Sequence, residues 1–518
     1  MNQNLIIGTR GSDLALWQAN FVKEKLATIG IDSEIKTIKT QGDNVQDLSF
    51  DKMEGKGFFT KEIEDALLRK EIDLAVHSHK DLETILPDGL KIAAVSEREN
   101  PSDLLIIRRE AVDVSLMLSL KARATVGTSS ARRKSQLLAF RSDLQLKDLR
   151  GNVPTRVKKL KDGEYDAILV AAAGVKRLGL DLSEFHAEKL DPREFITAPA
   201  QGVLALQIRE VDDELTEFPQ QINDSNSSQT SKVERKVLNL FEGGCQLPLG
   251  VYCEKKDGMF HIWASAAPSW EQFPKRIYLK SETTEGLAKK AAEKLKDKSG
   301  APVFVTRNLK EQSFFKRALE QNGYPVHGKS LIDFKAIEFN EVPETDWIFF
   351  SSKNSVRFFF EQQPQTGNAK FGAVGSATAK ALRKYGVVPE FTGNSINTVE
   401  IGRAFAEVAK NEKVLFPQSK NSLKTVQQQF ASDENLFDLI TYETIESGEG
   451  QIPDTGVIVF TSPSNVRSYL NKKSISSEQK VIAIGNTTGK ELEKHSISDY
   501  HLPWTSSEIA LVDAVLSL

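Results

Sequence analysis

Cysteine is almost missing from this chain: Cys245 and Cys253 are the only two in 518 residues. That excludes a disulfide framework and fits a reducing compartment. Histidine is scarce as well, with seven residues. His77 and His79 lie close together, but no further histidine cluster or cysteine pair supplies the remaining ligands, so no metal is expected. Long hydrophobic runs are absent. The longest clean one, AILVAAAGV at 167–175, falls far short of the roughly 20 residues a membrane helix needs. MNQNLIIGTR lacks a basic stretch followed by an apolar one, so no signal peptide is expected. Neither sign of charge dominates: 68 Lys plus Arg against 71 Asp plus Glu leave a net charge of −3. A general nucleic-acid binder would need a broad basic surface. The expectation is a cytoplasmic protein of several domains, with no membrane and no nucleic-acid partner.

What is present is alternation. Short apolar strands and helical patterns follow one another almost throughout, which predicts an α/β fold with parallel sheets. LIIGT (5–9) reads as a strand, and 12–26 as a helix capped by Ser12. IDLAVHS (72–78) is a strand, ATVGTSS leads into the helix ARRKSQLLAF, and YDAILVAAAGV (165–175) reads as one buried strand. QQINDSNSSQTS (220–231) reads as a linker. Ser231 and Glu234 have the spacing of a capping box opening the next helix, and Gly243 would close it. KDKSGAP (296–302) marks a second break before the strand VFVT.

The last third repeats itself. DWIFFSSKNSVRFFF (346–360) resembles GVIVFTSPSNVRSYL (456–470), and GAVGSATAKAL (372–382) resembles IAIGNTTGKEL (482–492). Ser352 matches Ser462, and Gly375 matches Gly485, at one constant offset of 110. That implies two similar α/β lobes made by duplication. VFVTR (303–307) and VLFPQ (414–418) form a weaker pair.

Three strand-to-helix turns carry hydroxyls and arginines: TRGS (9–12), GTSSARR (127–133) and RGNVPTR (150–156). Helix N-termini attract anions, and arginine forks match carboxylates. Any single turn is more often a cap beside a solvated arginine. Three of them, with AGVKRLG (173–179), point instead to a polyanionic ligand. GKGFFTKE (55–62) reads as a glycine-flanked loop. HSHKDL (77–82) ends a strand, and Asp81 is either a surface charge or a general acid/base. EGGCQLPLG (242–250) puts a scarce thiol on a loop, where packing does not explain it.

In this order, TRGSDLALWQA, GKGFFTKEIE, AVHSHKDL, VGTSSARR, LRGNVPTR, GEYDAI, AGVKRLGL and EGGCQLPLG resemble hydroxymethylbilane synthase, also called porphobilinogen deaminase, over residues 4 to about 265. From about 302 onward the chain is similar to uroporphyrinogen-III synthase. The resemblance implies a deaminase of three domains: two lobes like periplasmic solute-binding proteins, 1–98 with 195–220 and 99–194, then a small α+β cysteine-bearing domain at 221–299. A two-lobed α/β synthase module would follow, 302–332 with 448–518 and 333–447, its chain crossing between lobes near 333–340 and 441–447.

The resemblance also implies chemistry. Cys245 would hold a dipyrromethane cofactor through a thioether. Asp81 would stabilise charge and move protons as porphobilinogen loses ammonia and joins the growing chain. Lys80, Ser129, Arg132 and Arg133 would hold cofactor carboxylates. Arg10, Ser12, Gln18, Arg150, Arg156 and Arg177 would bind substrate or elongating chain. Lys56 and Phe59 fall on the active-site loop. The product, hydroxymethylbilane, would be closed with inversion of its last ring by the second module, where Ser462, Thr487 and Thr488 are candidate binders. Tyr469 is one position away from the family's tyrosine and receives no role. Against the family pattern, His79 stands where Met is common, Glu83 for Pro, Ala200 for Gly and Gln207 for Glu. Two other readings are a bilobal solute-binding protein, and a deaminase whose second module is a scaffold. The oligomeric state is left open, with a monomer compatible.

Overall fold

The computed structural model describes residues 4–40, 60–212, 215, 217, 221–241, 247–298, 300–394, 397–447 and 451–518. Cys245, Gly243, Lys56 and Phe59 lie outside the described residues. The chain divides into two compact units. One holds Met1–Gly300, Glu311–Pro325 and Glu508–Leu518, the other Ala301–Lys310 and Val326–Ser507.

The first unit contains three sheets. One is ordered β2-β1-β3-β10-β4, from β1 (Leu5–Thr9), β2 (Ser33–Thr37), β3 (Leu74–Ser78), β4 (Leu90–Val95) and β10 (Leu204–Arg209). The second is ordered β7-β6-β8-β5-β9, from β5 (Asp103–Arg108), β6 (Thr125–Gly127), β7 (Gln145–Lys147), β8 (Ala167–Ala171) and β9 (Phe185–Lys189). The wiring is the same in both. β1 runs parallel to β2 and β3, as β6 does to β7 and β8. The strand that enters from the other lobe, β10 or β5, is antiparallel to its neighbours. The central strand β8, AILVA, is apolar along its whole length and buried except at Ala171, as a strand covered on both faces requires. A third, antiparallel sheet joins β11 (Leu249–Lys256), β12 (Met259–Ala266) and β13 (Lys275–Ser281). The Ser225–Leu240 and Leu287–Lys296 helices cover it with Val233, Val237, Leu287, Ala288 and Ala291.

Two local expectations are corrected. The polar stretch before Ser231 is already helix: it begins at Ser225, capped by Asp224, which accepts from the Ser227 amide at 2.6 Å. Ser231 is therefore mid-helix and Glu234 is no capping-box partner. Buried Ser227, Thr230 and Ser231 let that face pack closely, and packing overrides their weak helix propensity. Residues 165–175 are likewise not one strand. β8 ends at Ala171 and a helix, Ala172–Leu178, starts at once and stops at Gly179, in the left-handed region (φ 58°). A uniformly apolar run carries no period to distinguish the two states.

The second unit has two sheets. One is ordered β15-β14-β22-β23, from β14 (Val303–Val305), β15 (Val326–Gly328), β22 (Val457–Phe460) and β23 (Lys480–Ala483). The other is ordered β16-β21-β20-β17-β18-β19, from β16 (Ile332–Ala336), β17 (Trp347–Phe350), β18 (Lys370–Ala373), β19 (Phe391–Thr392), β20 (Val414–Ser419) and β21 (Leu436–Glu446). The offset of 110 becomes structural equivalence. β17 matches β22, β18 matches β23, and the Lys353–Phe360 helix matches Pro463–Leu470. The weaker pair fits as well, since β14 flanks β22 as β20 flanks β17. β16 and β21 lie antiparallel, with Ile332 opposite Glu446 and Ala336 opposite Tyr442. Among the described residues no helix is long and apolar enough to cross a membrane.

Candidate active site

In the first unit nearly every candidate side chain follows the carboxyl end of a parallel strand, where open α/β sheets leave helix N-termini and loops facing a crevice. After β1 come Arg10 and Ser12. Ser12 caps the Asp13–Ala27 helix, accepting from the Ala15 amide at 3.4 Å. Gln18, one turn on, is buried and donates to Ser78 Oγ at 2.9 Å, tying this helix to the end of β3. After β3 a single 3-10 turn, His79–Asp81, presents Lys80 and an exposed Asp81. Arg235 of the Ser225–Leu240 helix clamps that turn. It donates to the carbonyls of His79 (2.8 Å), Leu82 (3.1 Å) and Glu83.

After β6, Ser129 Oγ donates to the Leu149 carbonyl at 2.9 Å and accepts from the Leu149 amide at 3.0 Å, bracketing two turns together. Ser130 caps the Ala131–Phe140 helix. Arg132 and Arg133 converge on Asp103, which opens β5 and is wholly buried. Arg132 Nη1 lies 2.7 Å from Oδ2; Arg133 Nε and Nη2 lie 3.1 and 2.7 Å from Oδ1. Both recorded bonds of Arg132 run through Nη1, the second to the Ile196 carbonyl at 2.9 Å. Gln201 joins the lobes: it accepts from Lys80 Nζ at 3.3 Å and donates to Asp103 Oδ1 at 3.1 Å. Arg156 donates to the Gly151 carbonyl at 2.7 Å. Arg177, after β8, donates to the Gly202 carbonyl at 2.8 Å and lies over the Trp17 ring, 5.6 Å from its centroid.

These groups feel one another. Burial pulls Lys80 down to about 8; Asp81 opposes that pull and Arg133 adds to it. Burial likewise lowers Arg156 to about 10, reinforced by Arg133 and countered by Asp81, and lowers Arg177 to about 10. Burial alone would raise Asp103, but the two guanidiniums hold its carboxyl well below the usual range. These strand ends therefore gather several cations whose charge burial disfavours. Lys80, Asp81, Arg133 and Arg156 form one electrostatic group, with Arg132 joined to it through Asp103. Gln18 and Arg177 flank Trp17 on a neighbouring wall.

In the second unit the hydroxyls of the repeat start helices. Ser352 and Ser462 accept from the Ser355 and Asn465 amides at 3.0 and 3.2 Å. Thr487 is exposed in the first turn of Asn486–Lys494, whereas Thr488 is buried. Tyr469 is fully buried between Phe304 and Phe460, ring centroids 6.2 and 5.3 Å away, and serves the core. Tyr442, on β21, brings its hydroxyl to 3.4 Å from Ser352 Oγ.

The family model for porphobilinogen deaminase, dipyromethane cofactor binding domain, matches residues 5–217. A porphobilinogen deaminase of Nitratiruptor sp. is 40% identical over 306 residues, which is 58% of this chain and 96% of the relative. One of Oceanobacillus iheyensis is 45% identical over 252 residues, 48% of this chain and 80% of the relative.

The chain belongs to the porphobilinogen deaminase family.

The model for uroporphyrinogen-III synthase HemD matches residues 313–513. A solved uroporphyrinogen-III synthetase of Helicobacter pylori aligns with a TM-score of 0.32 at 18% identity, over 40% of this chain and 96% of that one. Carrying both domains, the chain is a bifunctional enzyme of tetrapyrrole synthesis: porphobilinogen deaminase followed by uroporphyrinogen-III synthase. Its deaminase part is of the dipyrromethane-binding kind.

Sequence reading did not single out Asp103, Gln201 or Arg235, and it gave Glu234 a different role. Asp103 heads the apolar strand DLLIIR, and a charge at the mouth of a buried strand was the available signal. Gln201 had none. Arg235 sits in KVERKV, which looks like a solvated helix face. Glu234, wholly buried, pairs with Arg98 through both oxygens at 2.7 and 2.9 Å. It also accepts from the amides of Ala200 (2.6 Å) and Cys253 (2.7 Å). Ala200, where glycine is usual, has φ 59°, a left-handed conformation an alanine adopts only at a cost. His77 and His79 are held neutral by burial, at about 4 and about 3, and His77 bonds Gln207 at 3.1 Å.

Proposed function

We propose that the cation-lined cleft between the first two lobes is where the deaminase holds its primer and chain, with Cys245 as the covalent anchor and Asp81 as the proton-handling group. One observation carries this reading: the exposed Asp81 carboxylate acts electrostatically on both Lys80 and Arg156, and burial lowers the proton affinity of each of those cations. Such a site is short of negative charge, and a ligand bearing an acetate and a propionate on every pyrrole ring supplies it. The dipyrromethane group, when bound, would offer the nucleophilic pyrrole carbon to which the first unit is joined.

The chain's own residues do the rest. Lys80, Ser129, Arg132 and Arg133 orient the primer carboxylates; Arg132 keeps Nε and Nη2 for that purpose while Nη1 is spent on Asp103 and Ile196. Arg10, Ser12, Arg150, Arg156 and Arg177 receive incoming substrate, and Gln18 sets the wall behind them. Asp81 faces the pyrrole N–H groups. There its carboxylate stabilises positive charge as ammonia departs and takes the proton lost when the new bond forms. Arg235 fixes the turn that aims it. In the second unit, Ser352, Ser462 and Thr487 offer helix-start hydroxyls to bilane carboxylates, with Tyr442 beside Ser352. The five-part division of the chain, with 311–325 and 508–518 falling in the first unit rather than in a synthase lobe, a cytoplasmic location and small-molecule partners alone complete the proposal.

Intact-mass measurement of the purified protein tests the anchor. An added mass of two pyrrole units is expected, lost in Cys245→Ser and kept in Cys253→Ser, whose thiol is buried in the third sheet. An unmodified mass in protein that consumes porphobilinogen would refute it.

A further inference from the structure

The first unit takes in two helices from within or beyond the range matched by the synthase model: Phe314–Gln321 and Glu508–Leu516. The second reads EIALVDAVL, apolar on nearly every side, and Ala510–Leu516 are buried accordingly. Asp513 interrupts that run and has no exposed surface. A lone carboxylate there would be strongly unfavourable; it is tolerated because Arg276 of β13, itself 1% exposed, meets it side-on. Arg276 Nε lies 2.9 Å from Oδ1 and Nη2 3.2 Å from Oδ2.

The rest of the guanidinium points at the deaminase backbone. Nη1 donates to the Glu194 carbonyl at 2.5 Å, and Nη2 to that of Arg193 at 3.0 Å. Two residues on, Ile196 is gripped at both ends. Its amide donates to Gln136 Oε1 at 2.7 Å, and its carbonyl accepts from Gln136 Nε2 at 2.8 Å and Arg132 Nη1 at 2.9 Å. The other helix supports the same element. Phe314 stacks on Phe140 with centroids 5.2 Å apart, and Arg317 donates to the Ala139 carbonyl at 2.8 Å, both at the end of the helix that carries Arg132 and Arg133. The two helices are tied to each other by the Phe315 amide, which donates to Glu508 at 3.0 Å.

We infer that Asp513 is a positioning residue for the deaminase: through Arg276 and the 193–196 backbone it sets the carbonyl against which Arg132 is aimed. This rests on the reading of Arg132 as a primer-carboxylate ligand. The last helix of the chain is then a working part of the first enzyme, and the break at 296–302 does not mark where the deaminase ends.

The experiment uses the full chain and follows the fraction of protein that acquires the dipyrromethane mass with time, together with kcat and KM for porphobilinogen. Asp513→Asn keeps the shape and removes the charge. Primer loading is expected to slow roughly tenfold, with KM for later substrate additions little changed. Arg132→Ala should slow loading as much or more, and Asp513→Asn should add nothing in that background, because the two act along one path. If Asp513→Asn does not fold, the paired change Arg276→Met with Asp513→Leu removes both charges, retains the packing and should show the same loss. Parental loading by a folded Asp513 variant overturns the inference, as does a full further loss from Asp513→Asn on top of Arg132→Ala. Parental loading by Arg132→Ala alone would instead refute the reading of Arg132 and leave the Asp513 effect to be read from its own variant.

Discussion

The two units solve one problem, two α/β lobes joined by a chain that crosses between them, with different materials. The deaminase unit buries charge: Asp103 with Arg132 and Arg133, Glu234 with Arg98, Asp513 with Arg276. The synthase unit buries rings. Phe349 and Phe405 lie 4.4 Å apart between Trp347, Phe391, Phe416 and Phe430, and among its described residues Glu491 is the one charged side chain classed as buried. Buried ion pairs add little net stability but dictate geometry, because a misplaced partner leaves a bare charge. Aromatic cores gain their stability from area and tolerate exchange. On the proposed reading, the deaminase aims several guanidiniums at a polyanion, a task that suits the first material.

That contrast can be broken at graded cost. The largest effect is expected at the exposed carboxylate. Asp81→Asn should leave the melting curve unchanged and lower porphobilinogen turnover by ~10²-fold or more; a loss of only a few-fold would make Asp81 a surface charge. Next is the buried triad. Asp103→Asn leaves two guanidiniums without their counter-charge and should cost about 3–5 kcal/mol in denaturant unfolding. Asp103 has a depressed folded pKa, so its contribution is fully present above the unfolded value of about 3.9 and is lost as pH falls through the lower folded value. The parent should therefore lose this contribution only in strong acid, and the variant should show no such step.

A smaller effect concerns Lys80. Its folded pKa of about 8 lies below the unfolded value of about 10.4, so the unfolded chain binds the extra proton between them. Stability from this group is lowest below about 8 and rises with pH across that window, while the cation that holds carboxylates disappears. Primer loading into unmodified protein should accordingly fall as pH passes about 8, and Lys80→Arg should move that fall to higher pH. A pH-independent loading rate up to pH 9 contradicts it. The smallest effects belong to the synthase unit. Tyr442→Phe removes the hydroxyl beside Ser352 and should raise the share of uroporphyrin formed from porphobilinogen without inversion of the last ring (the type I isomer) by a few-fold, about 1 kcal/mol. Tyr469→Phe, inside the core, should leave the isomer ratio as it was.

The strand-to-helix turns of the deaminase unit were legible in the sequence because their signals are local. Helix starts announce themselves through Ser12, Ser130 and Asn152, each found capping its helix, and arginines beside them declare an anion. The duplication of the second unit was legible for a similar reason, since equal spacing between motifs survives any repacking. Its chemistry was less so. Tyr469 attracted notice by position and proved to be core, while Tyr442 sits in TYET with no motif around it. The helix starting at Ser225 was hidden because polar residues usually signal loops, and only a neighbouring surface makes burying them favourable.

Sequence alone determined which helix starts carry arginines and hydroxyls, the alternation that builds parallel sheets, and the constant offset that makes twin lobes, because each depends on near neighbours or on periodicity. Tertiary structure decided who partners whom across long separations. Asp103 meets Arg132 across 29 positions, Glu234 meets Arg98 across 136, and Asp513 meets Arg276 across 237. No local pattern encodes such pairs. They exist because folding removes water from around both charges at once, and only a partner in the right place makes that tolerable.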